Sequence, residues 1–435
     1  MMRKIANTPP SMPERRIADV LTDRRGVVGI LFALAMPVLI GFTALGTEAG
    51  LWYLGKRNLQ TAADVAAVSA AFEILGGSGD EVSSAGQEAE RHGFDAAGGT
   101  IQVNNPPTAG TAADDEDAVE VVLTQPRPLL FAGLFLGGPV DITVRAVARM
   151  NATSTACVLA LDPAAYRALD VVGTANLQMP GCVLAANSSN PEAISIRGNA
   201  TVQALTLSTS GDYDVSGSGT LVTQTPPRTG ANPLGNPYAD RAIPPYGACN
   251  QTGYKRTSKT PVTLSPGVYC NGMDFGSQSV VDFSPGTYVV DQGVFNVNGG
   301  AEITCAGCTG TAGVTIVLTG SGTSYATVRI NGGAAVSLKA PTSGSYSGLL
   351  FLQDDDAPGG GSNVINGGAT MNLSGALYFP SQSVDFNGNA ASGGASCTQI
   401  VARTVSFSGT SNIGGDCDDS GTADINVGGT VNLVE

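Results

Sequence analysis

The longest uninterrupted apolar pattern in the chain is VVGILFALAMPVLIGFTALG, residues 27–46, twenty positions without a charge. Wound as a helix it would extend about 30 Å, enough to cross a bilayer's hydrocarbon core, so the run predicts a single membrane span. Pro37 at its middle is compatible with that, because a membrane helix accommodates the missing donor through neighbours or a local kink. In the following GLWYLGKRNLQTAADVAAVSAAFEIL, the residues Leu51, Leu54, Leu59, Ala62, Ala66 and Phe72 recur near helical spacing with no proline among them. The segment 26–75 is therefore predicted to be a transmembrane helix continuing into a stalk, stopped by GGSGD. A short helix over 84–93 and strands over 101–103, 119–123 and 140–148 then predict a small α+β unit over 76–150.

From Cys157 onward the pattern changes to short apolar-x-apolar triplets. Examples are Val202-Gln203-Ala204, Val281-Asp282-Phe283, Val336-Ser337-Leu338, Val384-Asp385-Phe386, Val405-Ser406-Phe407 and Val431-Asn432-Leu433. Many follow Asn/Gly corners such as Asn298-Gly299-Gly300-Ala301 and Asn331-Gly332-Gly333-Ala334, and Ser-Pro-Gly-x-Tyr stands at 265–269 and again at 284–288. Short strands with corners every 20 to 35 residues or so predict a mainly β domain over 151–435. Its expected form is a parallel β-solenoid (β-helix) in which each coil buries its apolar positions against the next. At about 20 to 24 residues per coil and about 4.8 Å between strands, this would be a rod on the order of 55 to 65 Å long. A β-sandwich has equally short strands and is the alternative.

Charge adds a direction. The chain has 36 acidic and 22 basic residues, a net −14, but residues 1–25 hold six bases and three acids, a net +3, leaving −17 for the rest. A basic tail before the span, with no Lys or Arg after it until Lys56 and Arg57, predicts a cytoplasmic tail and a body outside the cytoplasm. A cleaved secretory signal has the same order, yet this apolar run exceeds an h-region of about 7 to 15 residues and no A-x-A site closely follows. With one histidine, His92, and no basic stripe, nucleic-acid binding is excluded and histidine-dependent catalysis nearly so.

All eight cysteines, Cys157, Cys182, Cys249, Cys270, Cys305, Cys308, Cys397 and Cys417, follow the span. An even number in an oxidising compartment reads as a disulfide framework. Eight cysteines allow 105 pairings. Sequential neighbours (157–182, 249–270, 305–308 and 397–417) are favoured because stacked local coils bring near residues together.

Residues 24–71 resemble the N-terminal segment of TadG-like proteins of the Tad (tight adherence) Flp-pilus assembly system. The matching features are Arg25-Gly26, the Pro-containing span, Glu48 and Gly50 just past it, Trp52-Tyr53-Leu54, Lys56-Arg57, and Leu59-Gln60-Thr61-Ala62-Ala63-Asp64 running into an Ala-rich helix. CVLALDP (157–163), LKAPTSGSYSGLLFLQ (338–353) and GALYFPSQSVDFNGNA (375–390) are similar to C-terminal regions of such proteins. The resemblance implies a single-pass inner-membrane protein with a cytoplasmic N-terminus and a periplasmic C-terminal domain. It would assist assembly or anchoring of Flp pili, in adhesion and biofilm formation, with other Tad components as partners. Pilins of this system are cut after a Gly with a Glu five residues on; counted from Gly26 that position is Leu31, so a retained anchor is expected.

Other motifs read as structure. Asp214-Val215-Ser216-Gly217-Ser218 spells the D-x-S-x-S of a von Willebrand A metal site, which some family members carry, but Pro226-Pro227 follows within eight residues, where a helix would be needed. Cys305-Ala306-Gly307-Cys308 sits in a turn-rich loop, without a second ligand pair for zinc. The loop from Asp416 begins like an EF-hand but has Val427 where the bidentate Glu belongs, and Asp354-Asp355-Asp356 reads as a solvated loop. No catalytic, metal or cofactor-binding residues are expected, and no cofactor. The alternatives to a pilus-assembly role are an envelope-bound adhesin or glycan-binding β-helix, with a surface glycan as partner, and a polysaccharide-acting β-helix enzyme using Asp385, Arg329 and Arg403. The enzyme rests on fold analogy alone.

Overall fold

Helix-favouring residues carry α1, Val27–Gly76, unbroken through Pro37. The computed structural model describes residues 27–76, 79–134, 137–152, 154–367, 371–388, 390–391, 397–413, 417 and 419–435; the basic tail expected over 1–25 lies outside them. The first half of α1 exposes Ile30, Leu34, Leu39, Ile40 and Phe42, and α1 is the one helix among the described residues long and apolar enough to cross a membrane. Its second half instead buries Leu59, Ala62, Ala63, Ala66, Ala67, Ala70 and Ala71. Alanine allows the helix axis to lie close to the sheet face formed by Val119, Val121, Leu123, Val144, Ala146 and Ala148. A second helix, α2, Glu81–Arg91, buries Ala85 and Ala89, and the Ser69 and Ser84 hydroxyls pair at 2.6 Å.

That sheet has four antiparallel strands in the order Thr100–Asn104, Ala118–Arg127, Val140–Ala152 and Gly429–Leu433. Val431-Asn432-Leu433, grouped with the triplet repeats on sequence, therefore completes the small sheet, with Val431 opposite Met150. The alternation that would turn Val431 toward the core of a coil instead packs it, partly buried, against the α1-facing core.

The other strands form a 22-stranded sheet whose ladders are parallel, apart from a hairpin pairing Gly320 with Tyr325. Val262 faces Val281, which faces Ile303, which faces Val336, which faces Met371. A β-sandwich would pair antiparallel. Corners stack as well: Gly198 (φ 77°) lies over Gly173 (φ 77°), where an added Cβ would meet the Gly173 carbonyl oxygen at 2.9 Å.

Stacking order departs from chain order. The run that starts at Gln251–Arg256 ends at Thr398–Asn412, and this last strand pairs with the beginning of the body: Ile400 faces Val158 and Phe407 faces Val171. From there the stack continues through Ala156–Ala160 and Leu169–Ala186 to Tyr213–Gly217 and Thr220–Thr223. One line of register thus crosses every rung. Lys255 faces Asp274, then Asn296, Arg329, Val364, Asp385, Ser406, Asp170, Ser195 and finally Asp214.

The stack has apolar cores on two sides of its wall. Inside, Phe275, Phe283, Phe295, Phe351 and Phe379 run as neighbouring rings, with Phe275 and Phe295 centroids 5.5 Å apart. Outside, Val268, Val289, Val317, Leu352, Tyr378, Val401 and Leu159 form a second apolar column. The connector over residues 224–250 covers that column with Leu234, Tyr238 and Ile243. Asn187 holds it from both sides, donating to the Leu234 carbonyl at 2.7 Å and accepting from the Leu234 amide at 2.8 Å. The Tyr238 hydroxyl, fully buried, donates to Gln399 Oε1 at 2.5 Å and accepts from the Ala423 amide at 3.1 Å.

Candidate functional site

The features that set this molecule's chemistry are its long apolar helix and the fastening of that helix to the folded body. Glu48, just past the apolar run, is only 3% exposed. Its carboxylate accepts three backbone N–H groups, from Leu130 at 3.0 Å, Phe131 at 2.9 Å and Ala132 at 2.6 Å. Several amides converging on one carboxylate satisfy the first turn of the 3₁₀ helix Ala132–Leu134 and offset the cost of burying the charge. The same clamp holds Leu130 and Phe131 outward, 62% and 46% exposed. Phe131 closes one side of a groove of about 370 Å³ along the apolar helix, with Phe32, Met36, Leu39 and Ile40 opposite. Trp52 and Tyr53 follow within two turns of Glu48, the side-chain types that settle at a membrane–water interface. Thr43 and Thr47 donate to the Leu39 and Thr43 carbonyls, each at 2.8 Å, so the apolar face carries no unpaired hydroxyl there.

Further along α1, Gln60 donates to both Asp64 and the Arg145 carbonyl at 2.8 Å, tying the helix to the sheet. Arg145 then joins Glu120 and Glu435 as ion pairs. Glu120 is 1% exposed and also accepts from Asn104 at 2.8 Å and from the Thr108 hydroxyl at 2.7 Å. Burial pushes its carboxyl pKa up, but Arg145, Thr108 and Asn104 outweigh burial and hold it at about 2. The Thr111 and Arg145 donors hold Glu435 at about 2 as well.

The cysteines lie in four bonds between sequential neighbours: Cys157–Cys182, Cys249–Cys270, Cys305–Cys308 and Cys397–Cys417. The second ties the end of the connector to the strand Gly267–Phe275. Of the D-x-S-x-S motif, Asp214, Ser216 and Gly217 lie on the strand Tyr213–Gly217 with Ser218 in the turn after it, and no helix follows. Asp416 and Asp418 of the EF-hand-like loop lie outside the described residues. Asp354 accepts from Thr319 at 2.6 Å and from the Asp356 amide at 3.1 Å, which holds that acidic loop in place. Among the described residues no group of three or more His, Cys, Asp or Glu is placed to hold a metal ion.

The trio Asp385, Arg329 and Arg403 is not brought together. Arg403 Nε donates to Asp162 at 2.9 Å, Asp385 accepts from Ser362 at 2.6 Å, and Arg329 stands two rungs from Asp385 with Val364 between them. Sequence reasoning missed the Glu48 clamp, the Glu120–Arg145–Glu435 network and the connector. For the connector there was a signal: Ile316-Val317-Leu318 and Leu349-Leu350-Phe351-Leu352 are continuous apolar runs, buried on both faces rather than alternating.

Residues 26–72 match the family model described as Putative Flp pilus-assembly TadE/G-like. The match takes in the apolar half of α1, Glu48 and most of the Ala face that packs on the sheet, so this segment is TadE/G-like. No curated protein and no solved structure matches the chain.

Proposed function

We propose that this chain is a membrane-anchored, non-enzymatic envelope protein that assists the assembly or anchoring of Tad/Flp-type pili. The observation that carries this reading is a coincidence. The TadE/G-like match falls on the one described helix apolar enough to span a membrane, and continues onto the face that docks that helix to the folded body. On this reading residues 1–25 are a cytoplasmic basic tail, 26–75 the inner-membrane anchor and stalk, 76–150 a periplasmic α+β unit, and 151–435 a periplasmic β-solenoid. The six bases of the tail and the four disulfides support that orientation. Parallel ladders between residues 18 to 35 apart within each of the two runs, around a continuous inner core, support the solenoid. Partnering of Arg403 by Asp162 rather than Asp385 supports a role without catalysis. Other Tad components are its partners. The test is piliation: deleting the chain should remove Flp pili, the wild-type sequence should restore them, and Ile40→Arg should not, since a mid-span charge costs about 2.5 to 3.5 kcal/mol on the translocon scale. Normal piliation in the deletion strain overturns the proposal.

A second reading, an adhesin or glycan-binding protein, is favoured by an open groove of about 620 Å³. Lys255, Asp274, Asn296 and Arg329 line it from four successive rungs. Glycan adhesion by whole cells that disappears with Arg329→Ala would favour this reading over the first.

A further inference from the structure

The two ends of the parallel stack are complementary to each other. At one end the strands Gln251–Arg256 and Val262–Leu264 each pair on a single side; at the other, Tyr213–Gly217 and Thr220–Thr223 do the same. Each end therefore presents an edge of backbone donors and acceptors, the group most prone to add another parallel strand. The first end carries Lys255, Arg256 and Lys259 with no acid over residues 251–264; the second carries Asp212 and Asp214 with no base over 210–225. In a chain of net charge −14, three bases with no acid among fourteen residues are a local reversal of sign, although Lys255 already stands 3.4 Å from the Asp274 carboxylate of the next rung. The second end also exposes Val215 and Val222, 38% and 49%.

Register makes the match specific. The line through the rungs begins at Lys255 and finishes at Asp214, and the adjacent inward line begins at Tyr254 and finishes at Tyr213. A second copy continuing the stack without a break would set its Lys255 beside Asp214 and its Tyr254 over Tyr213. The chain already performs such a joint within itself, where Thr398–Asn412 stacks in register on strands from the far side of the sequence. We propose that the distal domain self-associates head to tail, the Tyr213–Thr223 end of one copy seating on the Gln251–Leu264 end of the next. Unlike ends meet, so the contact is heterologous and can propagate into an open filament. This stands on the ladders and charges, independently of any role in pili.

The test uses the full chain in detergent micelles, with mass photometry and sedimentation velocity over a range of concentration. The wild type should populate dimers, trimers and longer species. Asp214→Lys alone and Lys255→Asp alone should each weaken association by about 10-fold or more. Mixing the two variants should restore it, because each then offers the charge the other lacks, and the double variant should associate as the wild type does. Monomers at every concentration would overturn the proposal; that is the result if Arg256, on the inward register line above Phe275, blunts its edge. Association that ignores both charge reversals, or that mixing fails to restore, would overturn it too and assign any contact to the membrane helix.

Discussion

Arg403 donates to Asp162 at 2.9 Å across 241 residues of sequence, and this ion pair stands at the joint where the two runs of the parallel stack meet. Asp162 is mostly buried. Burial raises its pKa, but the Ala164 and Ala165 amides and Arg403 outweigh that and leave it below the usual carboxylate range. Since Arg403 is partly exposed, its direct coupling to Asp162 should be modest, about 0.5 to 1 kcal/mol in a double-mutant cycle of Arg403→Ala and Asp162→Ala. Asp162→Ala alone should cost more, because it also strips an acceptor from two amides. Denaturant unfolding of the four species measures both quantities, and zero coupling would remove the pair from the joint.

Glu48 should be sensitive to substitution out of proportion to its single charge. Glu48→Ala leaves three converging amides without their acceptor, a local cost of about 1 to 3 kcal/mol for each amide that stays buried. Hydrogen exchange at residues 130–132 should accelerate by at least about tenfold, whereas Glu88→Ala, whose ion pair with Arg91 is exposed, should leave those amides as they are. Equal exchange in both variants would mean that the clamp does not hold the loop.

Acid should loosen the small sheet before the parallel stack. Glu120 has a folded pKa of about 2 against an ordinary 4.5, so it is depressed; its stabilisation is complete above about pH 4.5 and is lost as pH falls towards 2. The full contribution is on the order of 3 kcal/mol. Exchange protection of the strand Ala118–Arg127 should therefore decline over that window, and Glu120→Gln should remove most of the dependence. A pH-independent strand would contradict the assignment.

Alternation supplies a sharp internal control. Val384 and Phe386 are buried, while Asp385 between them points outward and accepts from Ser362 at 2.6 Å. Val384→Asp or Phe386→Asp should unfold the stack or cost upwards of about 3 kcal/mol, because each buries an unpaired charge; Asp385→Ala should cost no more than about 1 kcal/mol. Thermal melting of the three variants distinguishes them, and equal tolerance would place the strand elsewhere.

Such alternation is why the inner face could be read from residues alone. Val281-Asp282-Phe283 and Val405-Ser406-Phe407 each bury their outer members, as a period of two requires. The Asn/Gly corners were legible for an equally local reason: Gly300 and Gly333 adopt positive φ, and Asn298 donates to Asp274 and to the Phe275 carbonyl. What alternation cannot encode is which strand neighbours which. Nothing in Phe407 or Val171 by itself specifies that they face one another, and the connector's Leu234, Tyr238 and Ile243 lie among Pro, Asn and Gly with no period at all. The Glu48 clamp was hidden because its partners are backbone amides, which any sequence possesses.

The function proposed above has α1 anchor the chain in the membrane, with the basic tail inside and the disulfide-bonded body outside the cytoplasm. Fusing alkaline phosphatase, active only outside the cytoplasm, after residue 71 and separately after residue 22 tests this directly. The account predicts activity for the first fusion and none for the second; the reverse pattern, or activity from neither, would contradict it.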